Sequence, residues 1–232
     1  MKIDRARVAF VFVMFALAAS NAKAPALSAK TETPLLDIAL EMRDHDTPRA
    51  MDPEHVFVTG DVVRFKLTSR MNGYLYVTNL SSSGKYSTLF PAPQTGTDNK
   101  IELHKDYFVP STPDGWFEVE GPAGFETLYF LVSPVPLTQP AAATPSATPP
   151  GPLSSLRPRC NDSVFRARGE CIDSSAGVGQ APPASQLPPE LQPKAGTASR
   201  DLVFSKKKDS TSVVAAGPLA GPVLYTFRLA HK

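Results

Sequence analysis

Short runs of alternating apolar and polar residues, cut at close intervals by Gly, Pro, Asn and Asp, govern what this chain can fold into. Over residues 35–43, Leu36, Ile38, Leu40 and Met42 point one way while Asp37, Glu41 and Arg43 point the other. A period of two is the mark of a strand with one buried face. Residues 62–69 repeat it, with Val63, Phe65 and Leu67 inward and Arg64, Lys66 and Thr68 outward. Thr59-Gly60-Asp61 is a turn, and Asn72-Gly73 is a strong hairpin signal. Residues 74–80 are apolar on both faces, which suits a central strand. Further short strands are expected at 86–90, 99–103, 116–120 and 126–133, separated by turns such as Pro113-Asp114-Gly115 and Gly121-Pro122-Ala123-Gly124. No segment between the N-terminal apolar run and Pro134 has a helical period. The pattern predicts an all-β protein, an antiparallel β-sandwich of Ig-like or related type.

The composition then changes. More than half of the 24 prolines lie between Pro134 and Lys194, and Phe165 is the only aromatic from Pro134 to Arg200. A stretch rich in Pro, Ala, Ser, Thr and Gly buries too little apolar surface to offset an ordering cost of roughly 1–2 kcal/mol per residue. Residues 134–200 are therefore expected to be a disordered or polyproline-II insertion. Beyond it the strand pattern returns at 201–205 and 223–231. In the last run Val223, Tyr225, Phe227 and Leu229 face one side, and Leu224, Thr226 and Arg228 the other. A strand this apolar is expected to join the earlier sheet, giving one domain from residues 35–133 plus 201–232.

The N-terminus reads as a secretory signal over residues 1–22, followed by a polar leader over 23–34. Lys2, Arg5 and Arg7 form a basic start, and Val8 to Ala19 is uncharged and apolar. That run is shorter than the roughly 20 residues needed to span a bilayer. Cleavage fits after Ala22. Ala22-Lys23-Ala24 is an alternative site, disfavoured by Pro25, and an uncleaved interfacial anchor is the other reading. A periplasmic or secreted protein without a transmembrane span in its mature form is expected. Cys160 and Cys171, the only cysteines, suit that compartment as a disulfide closing a small loop. With a net charge of +2, the chain offers no basic field for nucleic acid.

The residues that carry chemistry are sparse. His45, His55, His104 and His231 are scattered, and no G-x-S-x-G elbow is present. No enzyme activity and no cofactor are expected. Ser82-Ser83-Gly84-Lys85-Tyr86 lacks the upstream Gly and the Ser/Thr of a phosphate loop and reads as a polar turn. Asp44, His45 and Asp46 with Asp52 and His55 form the one concentration of metal-ligand types; a solvated loop explains them better. Lys206-Lys207-Lys208 reads as a solvated loop. Trp116, Tyr74, Tyr76 and Tyr107 are the candidate ligand-contact residues, although aromatics on strands are usually core. Two roles follow: a binding or assembly module that contacts another envelope protein, and a cell-wall glycan binder that uses these aromatics.

The order of several motifs adds a resemblance. Phe57-x-x-Gly60-Asp61-x-Val63-x-Phe65, Gly73-Tyr74-Leu75-Tyr76-Val77 and Leu89-Phe90-Pro91 are followed by Asn99-x-Ile101 and Val109-Pro110. Gly121-Pro122-x-Gly124-x-Glu126 and a final Phe227-Arg228-Leu229-Ala230-His231 complete the series. Together they resemble a bacterial domain of unknown function numbered four-three-eight-four, over about residues 35–135 plus the last ten. The resemblance implies a compact accessory β domain of exported and surface-associated proteins, with no established activity. The Pro-rich insertion with its two cysteines departs from that pattern.

Overall fold

The computed structural model describes residues 32–45, 47–137, 171–188, 191 and 201–232. In chain order the strands are β1 (Thr33–Asp44), β2 (Thr47–Met51), β3 (Val56–Phe57), β4 (Val62–Ser69) and β5 (Gly73–Leu80). Next come β6 (Tyr86–Phe90), β7 (Lys100–Ile101), β8 (Asp106–Val109), β9 (Phe117–Glu118) and β10 (Gly124–Ser133). After residue 170 follow β11 (Gly177–Gln180), β12 (Leu202–Lys206), β13 (Thr211–Ala215) and β14 (Val223–His231). They form two sheets. The first runs β12-β13-β1-β4-β8, with β2 paired to β1 and β9 to β4. The second runs β11-β14-β10-β5-β6, with β3 paired to β14 and β7 to β5. All pairings are antiparallel except β3 on β14. The protein is an all-β sandwich.

Alternation decides which residues meet between the sheets. Leu36, Ile38 and Leu40 of β1 and Val63, Phe65 and Leu67 of β4 are buried from one side. Leu75 and Val77, Leu128, Phe130 and Val132, and Val223, Tyr225, Phe227 and Leu229 are buried from the other. Leu35 enters the same core out of phase because the β1–β13 register shifts between Pro34 and Leu36, as a bulge allows. Phe65 joins the layers. Its ring centroid lies 4.8 Å from that of Phe227, 6.3 Å from Phe130 and 6.2 Å from Phe117.

Gly73, at the hairpin signal, is fixed by space. A Cβ there would stand 2.5 Å from the carbonyl oxygen of Ser133, on the strand paired with β5. Gly73→Ala is expected to cost about 1–3 kcal/mol through backbone displacement, read as a lower urea midpoint at unchanged slope.

The second sheet also carries an apolar outer face. Tyr76, Tyr129, Leu131 and Leu224 form a cluster there that Leu187 and Leu191 complete, with Leu80, Leu137 and Ala181 packed at its margin. Residues 171–188 thus correct the expectation of disorder across 134–200. Gly177–Gln180 pairs with β14, and Leu187 and Leu191 are 4% and 1% exposed. A ladder needs only backbone N–H and C=O groups, so a Gly-rich sequence can supply an edge strand. The apolar surface that holds the leucines belongs mainly to the sheet. The segment did not need a core of its own. The expected signal, most of the leader, Cys160 and, of the insertion, residues 138–170, 189–190 and 192–200 lie outside the described residues. Among the described residues no helix is long and apolar enough to cross a membrane.

Candidate functional site

The outer face of the first sheet carries its charges as cross-strand pairs. Arg64 of β4 stands opposite Glu41 of β1, and its Nε donates to Glu41 Oε2 at 2.6 Å. On the next strand over, Asp106 accepts from Thr68 Oγ1 at 2.7 Å and pairs with Lys66 at 2.9 Å. The guanidinium of Arg64 lies 4.2 Å from the ring centroid of Phe108 and 4.2 Å from that of Trp116; Arg43 lies 4.7 Å from Trp116. Phe108, Arg64, Trp116 and Arg43 are therefore linked by cation–π contacts, each worth roughly 0.5–1 kcal/mol at an exposed site and more when desolvated. Trp116 is delivered by the turn before β9. Gly115 N donates to Thr112 O at 3.0 Å, and Thr112 Oγ1 donates to Asp114 Oδ1 at 2.7 Å. That hydroxyl, above all, holds the Asp114 carboxyl below its usual range.

Beside this stack lies an open groove of about 430 Å³, lined by Arg64, Phe90, Asp106, Tyr107, Phe108 and residues 110–115. Tyr107 and Phe108 are successive on β8, so one turns inward and the other out. Tyr107 packs edge-on against Phe90 and its hydroxyl accepts the Glu102 N–H at 2.8 Å. Phe108 is 37% exposed. The four aromatics expected to share a surface are thus divided. Trp116 and Tyr107 lie on the first sheet, on opposite sides of it. Tyr74 and Tyr76 lie on β5 of the second, facing away from the interior, where Tyr76 is buried and its hydroxyl donates to Leu137 O at 3.4 Å. Arg64 and Phe108 were not singled out from sequence. The available signal was the aromatic pair before Val109-Pro110, which alternation must split between the two faces.

Two further polar centres tie strands together. Asp37 of β1 accepts from Arg70 Nε at 2.8 Å, from Lys207 Nζ at 3.3 Å, and closely from Arg70 Nη2 and Ser212 Oγ. Burial acts to raise its carboxyl, and the bonds from Ser212, Arg70 and Lys207 outweigh burial and hold it below the ordinary value. Lys206 meets Asp52 at 3.1 Å and Glu54 at 3.7 Å. The lysine run expected to be solvated therefore uses Lys206 and Lys207 in pairs that hold β12 and its turn to the sheet. Asp52 is engaged there, His45 bonds its neighbour Asp44 at 2.9 Å, and His55 stacks edge-on against Phe57. Asp46 lies outside the described residues. Among the described residues no group of three or more His, Cys, Asp or Glu is placed to hold a metal.

The second centre sits between the sheets at one end of the sandwich. Glu126 of β10 is 6% exposed and accepts from Asn79 Nδ2 at 2.6 Å and Ser82 N at 3.0 Å. His231 of β14, fully buried, places Nε2 3.5 Å from Glu126 Oε1, at ion-pair distance without a formed hydrogen bond. Burial acts to raise the Glu126 carboxyl, but His231, Asn79 and Ser82 together hold it below its usual range. Ser82 Oγ and both His231 nitrogens have no hydrogen-bond partner among the described residues. Gly121 has φ +94°, as expected for its turn. Gly124 does not have positive φ; its requirement is closeness, since a Cβ would stand 3.3 Å from Ser82 Cβ. The Gly121-x-x-Gly124-x-Glu126 spacing thus seats one turn on another and supplies the carboxylate that joins them.

Fold and site together define a two-sheet β-sandwich whose motifs are spent on turns and inter-strand ties. Residues 56–136 match the model of the family described as Domain of unknown function (DUF4384). The matched stretch stops before the final strand, so the resemblance expected for residues 227–231 lies outside it. In this chain β1, β2 and β11 to β14 complete the two sheets from beyond the match. No curated protein and no solved structure is significantly similar to the chain.

Proposed function

We propose that this chain is an exported, non-enzymatic binding or assembly module of the bacterial cell envelope that contacts another envelope protein through the Trp116 surface. The stack of Phe108, Arg64, Trp116 and Arg43 beside the open groove carries this reading. Trp and Arg are the side chains most enriched among residues that dominate binding energy. Here both are held by the sheet beneath them, so little side-chain freedom is lost on contact. Export rests on the N-terminal sequence. The Cys160–Cys171 bridge belongs to the same reading; Cys171 is fully buried against Val56 and Ala230, and no described cysteine is free.

Capture of cross-linked partners from envelope extract tests the proposal. Wild-type protein is expected to recover one specific protein, and Trp116→Ala to lower that recovery at least about tenfold, the loss of a modest hot spot, while its circular dichroism spectrum stays that of the folded protein. Equal recovery by the variant contradicts the assigned surface. The glycan reading draws no support from the tyrosines, which the fold separates from Trp116. Retention on peptidoglycan that fell with the same variant would favour it instead.

A further inference from the structure

We infer that β12 is a docking edge for a second copy of this chain, paired antiparallel about Phe204 so that the first sheets of two copies join into one. The edge lies at the far end of that sheet from β8 and the Trp116 surface.

The ladder fixes which way the backbone of β12 points. Ala216 N donates to Asp201 O at 2.8 Å and Lys207 N to Ser210 O at 2.7 Å, so positions 201 and 207 both bond toward β13. In an antiparallel pair the bonded positions alternate, which turns Val203 and Ser205 toward β13 as well. Leu202, Phe204 and Lys206 therefore direct their N–H and C=O groups the other way. The bond from Gln180 Nε2 to Leu202 O at 3.0 Å agrees, since Gln180 lies on β11 and not on β13. No strand pairs with β12 on that side among the described residues.

Sheet edges are usually blunted against such pairing by proline, charge or a bulge. The other sheet ends follow that rule. Strands β6, β8 and β11 run into Pro91, Pro110 and Pro182, and the β5–β6 register also carries a bulge. Strand β12 contains no proline, and its register with β13 is unbroken. Its lysines are already engaged: Lys206 pairs with Asp52 and Glu54, and Lys207 with Asp37, which weakens their repulsion of an incoming strand.

The strand is self-complementary about its middle residue. Antiparallel pairing centred on Phe204 sets the exposed Asp201 against the partner's Lys207 at each end, and Val203 against the partner's Ser205. Parallel pairing in register would set lysine against lysine, which is unfavourable. Phe204, half-buried against Tyr225, meets the partner's Phe204 across the two-fold axis as an aromatic cross-strand pair. Val203, 46% exposed in the single chain, is covered by the same pairing. So short an edge fits a weak dimer, with a Kd on the order of 100 µM.

Residue-resolved amide exchange of the full oxidised protein, read by NMR at a series of protein concentrations, tests the inference. The Phe204 and Lys206 amides should exchange freely in dilute protein. They should exchange about fivefold more slowly once the protein exceeds its Kd about tenfold, by mass action. The Val203 and Ser205 amides, bonded to β13, should be protected throughout. Sedimentation gives a second readout. Val203→Lys combined with Ser205→Lys, both at exposed positions, should leave the chain folded and weaken the dimer at least about tenfold, because like charges then stand opposite each other. Val203→Lys combined with Ser205→Glu sets opposite charges there and should match or exceed the wild-type affinity. Exchange at Phe204 and Lys206 that ignores concentration, with a single-chain mass throughout, overturns the inference. Protection of both amides at every dilution would place a segment of the same chain on the edge and overturns it too. A dimer indifferent to both double variants overturns the assignment to β12, and one weakened equally by both overturns the register. None of these outcomes bears on the partner contact at Trp116.

Discussion

Phe65→Ala is expected to destabilise the domain by about 3–5 kcal/mol, the range for removing a buried aromatic ring. Against a total of about 5–15 kcal/mol for an ordinary domain, that leaves little. Phe65 is fully buried on β4 and touches rings from both layers: Phe117 on its own sheet, Phe130 and Phe227 on the other. Removing it opens a cavity at the place where β4 meets β10 and β14. The surrounding ladders resist collapse into that space, because moving one strand breaks register with its neighbours. Phe65→Leu, which restores most of the volume, should recover more than half of the loss. Guanidinium denaturation followed by circular dichroism measures both. A change under 1 kcal/mol for alanine would mean that the two layers do not pack through this residue.

Glu126→Ala should cost about 2–5 kcal/mol, for a different reason: buried donors lose their acceptor. It removes the acceptor for Asn79 Nδ2 and Ser82 N and leaves both of these donors unpaired beside the buried His231 ring. Glu126→Gln keeps an acceptor and should cost less, about 1–3 kcal/mol. The pH dependence separates this from simple loss of packing. The folded carboxyl sits below the ordinary glutamate value of 4.5. Its contribution is therefore fully present above pH 4.5 and is lost as pH falls through the lower folded value. Asp37, also held below its ordinary 3.8, follows the same sign at somewhat lower pH. Wild-type melting temperature should thus fall on acidification below about pH 4.5. Glu126→Gln should show a shallower fall, with the remainder owed to Asp37 and to the other lowered carboxyls, Asp52, Asp106 and Asp114. Parallel slopes for the two proteins would show that the Glu126 carboxylate contributes nothing to the acid dependence.

Where one strand face is buried and the other solvated, the residues announced the structure. Strands β1 and β4 show their inward sets in plain alternation, and β14 does so although it lies far along the chain. The strands that escaped notice lack that contrast. Thr47–Met51 contains Pro48 and exposes four of its five residues, so it reads as loop; pairing with β1 makes it a strand. Thr211–Ala215 is short and built from small residues, buried on nearly every position between β12 and β1. Gly177–Gln180 has no apolar alternation; pairing with β14 makes it a strand, with Val178 packed at the edge of the core and Gln180 Nε2 bonded to Leu202 O. The candidate site was half legible. Trp116 stood out by its chemistry, but its neighbours Arg43, Arg64 and Phe108 come from three strands, and only register brings them together. Glu126 and His231 likewise lie on paired strands, and nothing local in either sequence marks them as partners.

The Phe65 and Glu126 expectations both require that β14 be an interior strand of the second sheet, between β10 and β11. Hydrogen exchange read by mass spectrometry tests this directly. Amides of residues 223–231 should exchange only through global unfolding and match the protection of residues 124–133, because both strands are hydrogen-bonded on two sides. Exchange of residues 223–231 at the rate of an open chain, with 124–133 still protected, would show that the last strand is not part of the sandwich.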